Sequence, residues 1–267
     1  MITGHTRILP LLADPIEHVR TPAVFNAHLA RIGVDAVVVP AHVRSEALRT
    51  VVTAMRAVET VAALFVTVPH KIAIVELCDE LHSSARLMGA VNIVRRDDDG
   101  RLVGANFDGA GMASALQAEL GPLAGQRVYI AGAGGVARAI AFAVSQAGVG
   151  QLAVHNRSAA KADALIDAVK RSFPEVEVSR GDDRPSDFDI AINGTSLGLK
   201  PGDPLPFAID ALPATAAVAE VVMSAPMTPL LLRAQARGLR IVKGDAMLHC
   251  QLAAWVDYLG FQSKEPR

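Results

Sequence analysis

Two ionisable side chains in the first half of the chain have the chemistry needed to move a proton. Lys71 follows an apolar run that ends in Val68-Pro69-His70, and Asp108 lies in a loop that enters a helix. A lysine beside a carboxylate can shuttle a proton to an alkoxide while a nicotinamide takes or gives the hydride. The same residues also fit two ordinary surface charges, so spacing alone leaves both interpretations open.

A glycine-rich segment further along the chain has the pattern of a dinucleotide-binding turn. Residues 132–137 read Gly-Ala-Gly-Gly-Val-Ala and lie between a predicted strand (127–131) and a predicted helix (136–146). Gly132 allows the tight turn, and Gly134 lets a pyrophosphate approach the backbone. The helix N-terminus, at Gly135 and Val136, offers N–H groups to the phosphates. An ordinary tight turn is the alternative, but the order of strand, turn and helix favours dinucleotide binding.

The residues after the next predicted strand indicate which dinucleotide is bound. NAD sites usually place a carboxylate about 20 residues after the glycines, where it binds the ribose 2′-hydroxyl. This chain instead has Asn156, Arg157 and Ser158, with Lys161 close behind. A guanidinium and an ammonium suit a 2′-phosphate, although a solvated basic helix start has the same composition. The sequence therefore predicts NADP, with NAD the less favoured cofactor.

The elements that must position these residues alternate between strands and helices. In the first hundred residues, the β-branched runs 34–40 and 63–69 flank a helix that begins near Ser45, and Asp97–Gly100 forms a hairpin turn. From residue 121 onward a series of βαβ units predicts a Rossmann-like, doubly wound sheet. We therefore expect an α/β fold with two domains. These are a substrate-binding domain (1–105), onto which a C-terminal helix (245–267) packs back, and a nucleotide-binding domain (106–244).

The composition excludes several classes of protein. Of the 267 residues, 51% are hydrophobic and 20% are charged, which is too apolar for a disordered chain. The formal net charge of −1 gives no basic field for nucleic acid, and no apolar run is long enough to span a membrane. The two cysteines and eight scattered histidines form no metal-binding pattern. We expect a cytoplasmic protein, monomeric or homodimeric, whose partner is a small molecule and which holds no metal.

Taken together, these segments resemble the shikimate dehydrogenase family, which also contains quinate/shikimate dehydrogenases. The resemblance covers nearly the whole chain. Its segments are Asp14-Pro15-Ile16-Glu17-His18, Val66-Thr67-Val68-Pro69-His70-Lys71, Gly89-Ala90-Val91-Asn92, Asn106-Phe107-Asp108-Gly109, the glycine-rich turn, Asn156-Arg157-Ser158, Asn193-Gly194-Thr195-Ser196, Thr228-Pro229-Leu230-Leu231, Met247-Leu248 and Gln251.

The resemblance implies a cleft between two α/β domains and reversible, NADP-linked hydride transfer between 3-dehydroshikimate and shikimate or a close analogue. The substrate class it implies is a hydroxy-cyclohexene carboxylate. By the same resemblance, Lys71 and Asp108 match the acid–base pair, and Met247 matches a residue that packs near the nicotinamide. The matches to the substrate-binding residues are Thr21, Thr67, Asn92, Asp108 and Gln251, and those to the 2′-phosphate clamp are Asn156, Arg157 and Ser158. Thr195 and Ser196 either shape their loop or contact the cofactor.

Three positions depart from the family pattern. Where the family usually has two serines that hold the substrate carboxylate, this chain has Val19 and Thr21, with Arg20 between them. Losing one hydroxyl partner costs about 1–3 kcal/mol, or roughly 10- to 100-fold in affinity. Phe107 replaces a small threonine, and Met223 replaces a tyrosine. We expect retained chemistry with altered recognition; the alternatives are an NAD-dependent quinate/shikimate dehydrogenase and a non-catalytic paralogue that binds a dinucleotide or metabolite.

Overall fold

A computed structural model describes residues 2–17, 19–223 and 225–261, and these residues form two units. Unit 1 runs to Phe107 and resumes at Gln251, and unit 2 comprises Asp108–Cys250. The chain therefore leaves unit 1, builds the whole of unit 2, and then returns. Of the expected C-terminal helix, residues 262–267 lie outside the described part of the chain, as does His18.

Unit 1 is built on a mixed six-stranded sheet with the order β2-β1-β3-β5-β6-β4. Its strands are β1 (Arg7–Ala13), β2 (Ala36–His42), β3 (Ala63–Val66), β4 (Glu80–Leu81), β5 (Ile93–Arg96) and β6 (Leu102–Ala105), and its first helices are α1 (Thr21–Arg31), α2 (Leu48–Arg56) and α3 (Ser83–Met88). β1 pairs in parallel with β2 and β3, whereas β5 is antiparallel to β3 and β6. The core contains Leu12, Val52 and Leu64, so α2 covers one face of this sheet.

Unit 2 contains the predicted doubly wound sheet, in which six strands are all parallel and have the order β12-β11-β10-β7-β8-β9. Its elements are α4 (Asp108–Leu120), β7 (Arg127–Ala131), α5 (Gly135–Gln146), β8 (Gln151–His155), α6 (Ala159–Ser172), β9 (Glu177–Arg180), β10 (Ile190–Asn193), β11 (Ala217–Glu220), α7 (Pro229–Ala236), β12 (Arg240–Val242) and α8 (Gly244–His249). The strand order reverses between β7 and β10, which is where ligands bind in such sheets.

The last helical stretch is two helices instead of one. α8 packs against α4 and belongs to unit 2, while α9 (Leu252–Tyr258) belongs to unit 1. Trp255 of α9 makes edge-to-face contacts with Phe25 and Phe65, at 5.4 and 4.9 Å between ring centroids. The unit boundaries therefore fall after residues 107 and 250, whereas we expected them after 105 and 244. No helix in the described residues is both long and apolar enough to cross a membrane.

Candidate active site

Hydrogen bonds on two sides connect the turn that carries Lys71 to the rest of unit 1. It follows β3, and the N–H of His70 donates to the carbonyl of Thr67 at 2.9 Å. The buried ring of His70 contacts the carbonyl of Val43 through Nε2 at 2.7 Å, and the carbonyl of Lys71 accepts the N–H of Val91 at 2.8 Å. These bonds place Thr67 and Lys71 beside the segment that leads into β5. Lys71 is itself only 9% exposed, which is unusual for a lysine.

Two of the predicted substrate-binding residues lie together although 159 positions separate them. Nδ2 of Asn92 donates to Oε1 of Gln251 at 3.1 Å, and both side chains are buried. The backbone N–H of Phe107 donates to Oδ1 of Asn92 at 3.1 Å. Because a backbone N–H must face the amide oxygen, this bond sets which way the Asn92 amide points. The Asn92–Gln251 bond turns the amide oxygen of Gln251 toward Asn92.

The remaining unit 1 positions lie on separate elements. Thr21 is the first residue of α1 and is half-buried. Val19 is also half-buried, and its N–H donates to the carbonyl of Ile16 at 3.2 Å, so it belongs to the turn that precedes α1.

The ring of Phe107 packs within unit 1 against other aromatic side chains. It makes an edge-to-face contact with Tyr258 at 5.4 Å between centroids and stacks on His82 at 6.4 Å. Edge-to-face and offset-stacked rings attract each other beyond their burial of area. This packing accounts for an aromatic residue at a position where the family commonly has threonine.

Asp108 begins α4 and is 4% exposed. The next residue, Gly109, lets α4 approach α5 closely, because a methyl group there would lie 2.1 Å from the carbonyl oxygen of Ala139. Only glycine fits at such a contact with backbone. Packing between α4 and α5 thus fixes where Asp108 stands in unit 2.

The glycine-rich turn has the shape needed for a phosphate-bearing cofactor. Gly132 has φ +113°, and a methyl group on it would lie 2.8 Å from the carbonyl oxygen of Gly194. Gly134 is exposed, with no atom within 4 Å of where its Cβ would stand. Gly134 is also the N-cap of α5, and it makes no side-chain capping bond to the first residues of the helix, Gly135 and Val136. These features fit a pyrophosphate at the helix N-terminus.

The predicted 2′-phosphate residues lie next to this turn. Ala131 and His155 are paired in register on β7 and β8, and the N–H of Gly132 donates to the carbonyl of His155 at 2.7 Å. Asn156 then bonds through Nδ2 to the carbonyl of Ser158 at 3.0 Å. The exposed residues that follow are Arg157, Ser158 and Lys161, with Ser158 the N-cap of α6. The structure therefore gathers the glycine turn and the basic segment at one edge of the sheet.

The helix that carries Met247 begins beside the segment that carries Met223. Met247 is buried in α8. A methyl group at Gly244, where α8 begins, would lie 2.8 Å from the carbonyl oxygen of Val222 and 3.0 Å from Cγ of Met223. The first turn of α8 is therefore in close contact with the segment after β11.

Sequence reasoning missed one functional candidate in unit 2, the carboxylate of Glu220. It is fully buried at the end of β11 and is hydrogen-bonded by the side chains of Asn193 and Thr228. Burial raises the pKa of Glu220 to about 7, because the loss of water outweighs the hydrogen bonds that stabilise the charge. The available signal was a single acidic residue within the apolar run 216–222, but a solvated strand end has the same pattern. The described residues contain no group of three or more His, Cys, Asp or Glu arranged to hold a metal ion.

The fold and the site define a class of two-unit α/β proteins whose second unit is a Rossmann-type dinucleotide-binding unit. Residues 11–94 match a family model described as the shikimate dehydrogenase substrate binding domain, and residues 114–198 match one described as shikimate / quinate 5-dehydrogenase. A shikimate dehydrogenase (NADP(+)) of Lysinibacillus sphaericus (strain C3-41) is 37% identical over 253 residues, covering 94% of this chain and 91% of the relative. The chain belongs to the shikimate dehydrogenase family.

Two solved structures extend the comparison. A shikimate dehydrogenase crystallised in complex with NADP+ has a TM-score of 0.90 and 30% identity, covering 99% of this chain and 93% of that one. The ligand-free form of 5-ketofructose reductase of Gluconobacter sp. strain CHM43 has a TM-score of 0.85 and 31% identity, covering 98% and 96%. The family, the α/β fold class and the class of NADP-linked oxidoreductase predicted from the sequence are confirmed.

The raised pKa of Glu220 predicts how stability depends on pH. Between its ordinary pKa of 4.5 and its folded value of about 7, the folded state holds a proton that the unfolded state has released. The contribution of Glu220 is therefore fully present below pH 4.5 and is lost as the pH rises through about 7. In thermal unfolding experiments across this pH window, the unfolding midpoint of the wild type should fall relative to that of Glu220→Gln as the pH rises. The exposed Glu175→Gln is the matched control, and a pH-independent difference for Glu220→Gln would contradict the expectation.

Proposed function

We propose that the chain catalyses reversible, NADP-dependent interconversion of a ring hydroxyl and a ketone, with shikimate and 3-dehydroshikimate as its substrate pair. The observation that carries the proposal is the buried Asn92–Gln251 hydrogen bond beside the turn of Lys71. It fixes the orientation of two amide side chains on the same unit that carries the proposed acid–base lysine. Such pre-orientation lowers the entropy lost when a polyhydroxylated substrate is bound.

The proposed chemistry divides between the two units. NADP held at the glycine-rich turn would supply the hydride acceptor or donor. Lys71 and Asp108 act as the pair that takes the hydroxyl proton during oxidation and returns it to the alkoxide during reduction. Thr67, Asn92 and Gln251 bind the ring hydroxyls. Thr21 is the hydroxyl available on the first turn of α1 for the substrate carboxylate.

The cofactor-binding residues follow from the edge of the unit 2 sheet. Gly132, Gly134, Gly135 and Val136 receive the pyrophosphate, and Met247 packs near the nicotinamide. Arg157 and Lys161 bind the 2′-phosphate together with Asn156 and Ser158. A guanidinium gives charge-assisted bonds to a phosphate, whereas a ribose hydroxyl gains little from it.

A second candidate substrate is a polyhydroxylated ketone that has no carboxylate. Val19 and Met223 replace residues that hold the carboxylate in the family pattern, and neither can donate a hydrogen bond to it. The likeness to a 5-ketofructose reductase, at 31% identity over nearly the full length of both chains, supports the same direction. A quinate-type enzyme and a binding-only paralogue are less favoured. The basic segment after β8 suits NADP, and a binder has no need of both Lys71 and Asp108.

A substrate panel separates these candidates. Oxidation of shikimate and of quinate, and reduction of 5-ketofructose, would each be followed by nicotinamide absorbance with NADP(H) and with NAD(H). We expect turnover of shikimate with NADP and a raised KM, because one hydroxyl partner of the carboxylate is missing. Turnover of 5-ketofructose alone would assign the second candidate. No turnover of any of the three, with NADPH still bound, would refute both.

Replacing Lys71 tests the acid–base assignment. Lys71→Ala should lower kcat roughly 100- to 10,000-fold while leaving the Kd for NADPH within about threefold, because the side chain transfers a proton and does not hold the cofactor. Lys170, an exposed lysine in the last turn of α6, provides the matched control, Lys170→Ala, which should leave kcat unchanged. Unchanged turnover in Lys71→Ala would remove Lys71 from the mechanism.

Replacing Arg157 tests the choice of cofactor. Arg157→Ala should weaken NADPH roughly 10- to 100-fold and NADH less than about threefold, since only NADPH carries the 2′-phosphate. Both dissociation constants can be measured by titrating the fluorescence of the reduced nicotinamide. Arg233→Ala, an exposed arginine at the end of α7, serves as the control. Equal losses for NADPH and NADH would argue against a 2′-phosphate contact at Arg157.

A further inference from the structure

The carboxylate of Glu220 is the acceptor on which four hydrogen-bond donors converge. Oε1 accepts from Nδ2 of Asn193 at 2.8 Å and from the backbone N–H groups of Val221 and Val222 at 2.9 and 3.0 Å. Oε2 accepts from the hydroxyl of Thr228 at 2.9 Å. Glu220 is 0% exposed, so these protein donors replace water at the end of β11. A buried carboxylate is retained without severe cost only where its oxygens are bonded in this way.

The first connection from Glu220 leads to the glycine-rich turn. Asn193 lies opposite Glu220 in the β10–β11 register, and its Oδ1 accepts from the N–H and the hydroxyl of Thr195 at 3.0 and 2.7 Å. Gly194, between them, donates its N–H to the carbonyl of Ala131 at 2.8 Å and stands so close that no side chain fits on Gly132. The loop that Asn193 holds therefore packs directly against the glycine-rich turn.

The second connection leads to the segment between β11 and α7. The N–H groups of Val221 and Val222 bind one carboxylate oxygen, which fixes the chain as it leaves the sheet. Thr228 binds the other oxygen and also caps α7 by accepting the N–H of Leu231 at 3.4 Å. Val222, with Met223 after it, contacts the start of α8 at Gly244. Glu220 is thus hydrogen-bonded both to the residues just before Met223 and to Thr228, the N-cap of α7.

We propose that Glu220 is the positioning residue of the NADP site, holding segment 193–197 behind the glycine-rich turn and residues 221–223 against α8. This inference rests on the proposed function, in which unit 2 binds NADP at that turn. Glu220 acts through Asn193 and Thr228 and does not itself touch the cofactor. Its role is to keep the backbone of the turn and of the Met223 segment in the geometry that binds the dinucleotide.

The chemistry of the four donors decides which substitutions preserve this geometry. In Glu220→Gln the amide oxygen can accept the three bonds now made to Oε1, and the amide nitrogen can donate to the hydroxyl of Thr228, which is able to accept. In Glu220→Leu the four bonds to the carboxylate are lost in a buried place, although Nδ2 of Asn193 and the N–H of Val221 keep their bonds to the carbonyls of Leu197 and Asn193. The two variants therefore differ in hydrogen bonding at nearly equal volume, with the same backbone.

The test is direct binding of NADPH, without substrate, to the folded full-length protein. We expect Glu220→Leu to raise the Kd for NADPH roughly tenfold or more, and Glu220→Gln to stay within about threefold of the wild type. Leu239→Ala is the matched control, because Leu239 is a buried core residue just before β12. It therefore lies at the amino end of that strand, whereas Glu220 lies at the carboxyl end of β11. Leu239→Ala should lower the unfolding midpoint while leaving the Kd unchanged.

Three results would overturn the proposal. The first is a wild-type Kd for NADPH in folded Glu220→Leu, and the second is an equal rise in Leu239→Ala, which would reduce the effect to general destabilisation. The third is an equal loss in both Glu220 variants. If Glu220→Leu does not fold, Thr228→Val replaces it; this variant removes the Oε2 partner together with the cap on Leu231 and should weaken NADPH by about threefold or more, and an unchanged Kd would count against the proposal. A wild type that fails to bind NADPH would refute the proposed function as well, which distinguishes the two failures.

Discussion

The parallel register at the centre of unit 2 determines where every proposed cofactor-binding segment lies. Ala131 at the end of β7 is paired with His155 of β8 on one side and with Asn193 of β10 on the other. Because parallel strands that are in register also end together, the glycine-rich turn, the basic segment and the Asn193 loop leave the sheet at the same edge. The order of strands reverses between β7 and β10, so the turn opens where neighbouring connections diverge to opposite faces. Shifting one of these strands by one residue relative to its neighbours would turn its side chains to the other face of the sheet.

Unit 1 achieves a comparable convergence through a bond between distant parts of the chain. Asn92 and Gln251 meet only because the chain returns to unit 1 after all of unit 2 has been built. The aromatic contacts of Trp255 with Phe25 and Phe65 anchor α9 in the core, and Gln251 stands immediately before this helix. The position of a proposed substrate-binding side chain therefore depends on core packing several residues away. The orientation of its partner Asn92 depends on the backbone N–H of Phe107, the last residue before the chain enters unit 2.

Sequence patterns predicted those parts of the fold whose signals are local. The β-branched runs, the glycine turn and the helix after it were predicted near their observed bounds, because each is specified by neighbouring residues. β1 was missed since Pro10 interrupts its apolar run, and proline argues against a central strand. The C-terminal helix 245–267 was predicted as continuous because α8 and α9 each bury one face. Periodicity does not say that the two faces belong to different units. Glu220 was missed for a related reason, as its burial depends on Asn193 and Thr228, which sequence spacing does not place beside it.

The residues proposed for proton transfer and the residues at the substrate-recognition positions are held in place by different parts of the structure. Lys71 and Asp108 are held by buried main chain, through the carbonyl of Lys71 and through the close packing of Gly109 on α5, so changes around them would disturb the core. Val19 and Met223 lie on connecting segments outside the strands and helices, where a new side chain disturbs less of the packing. Glu220 binds the N–H of Val222, just before Met223, and the hydroxyl of Thr228, beyond it, so the course of the chain there does not depend on the Met223 side chain alone. A fold arranged in this way can keep its proposed proton-transfer pair and its proposed cofactor-binding edge while the residues proposed to recognise the far end of the substrate change.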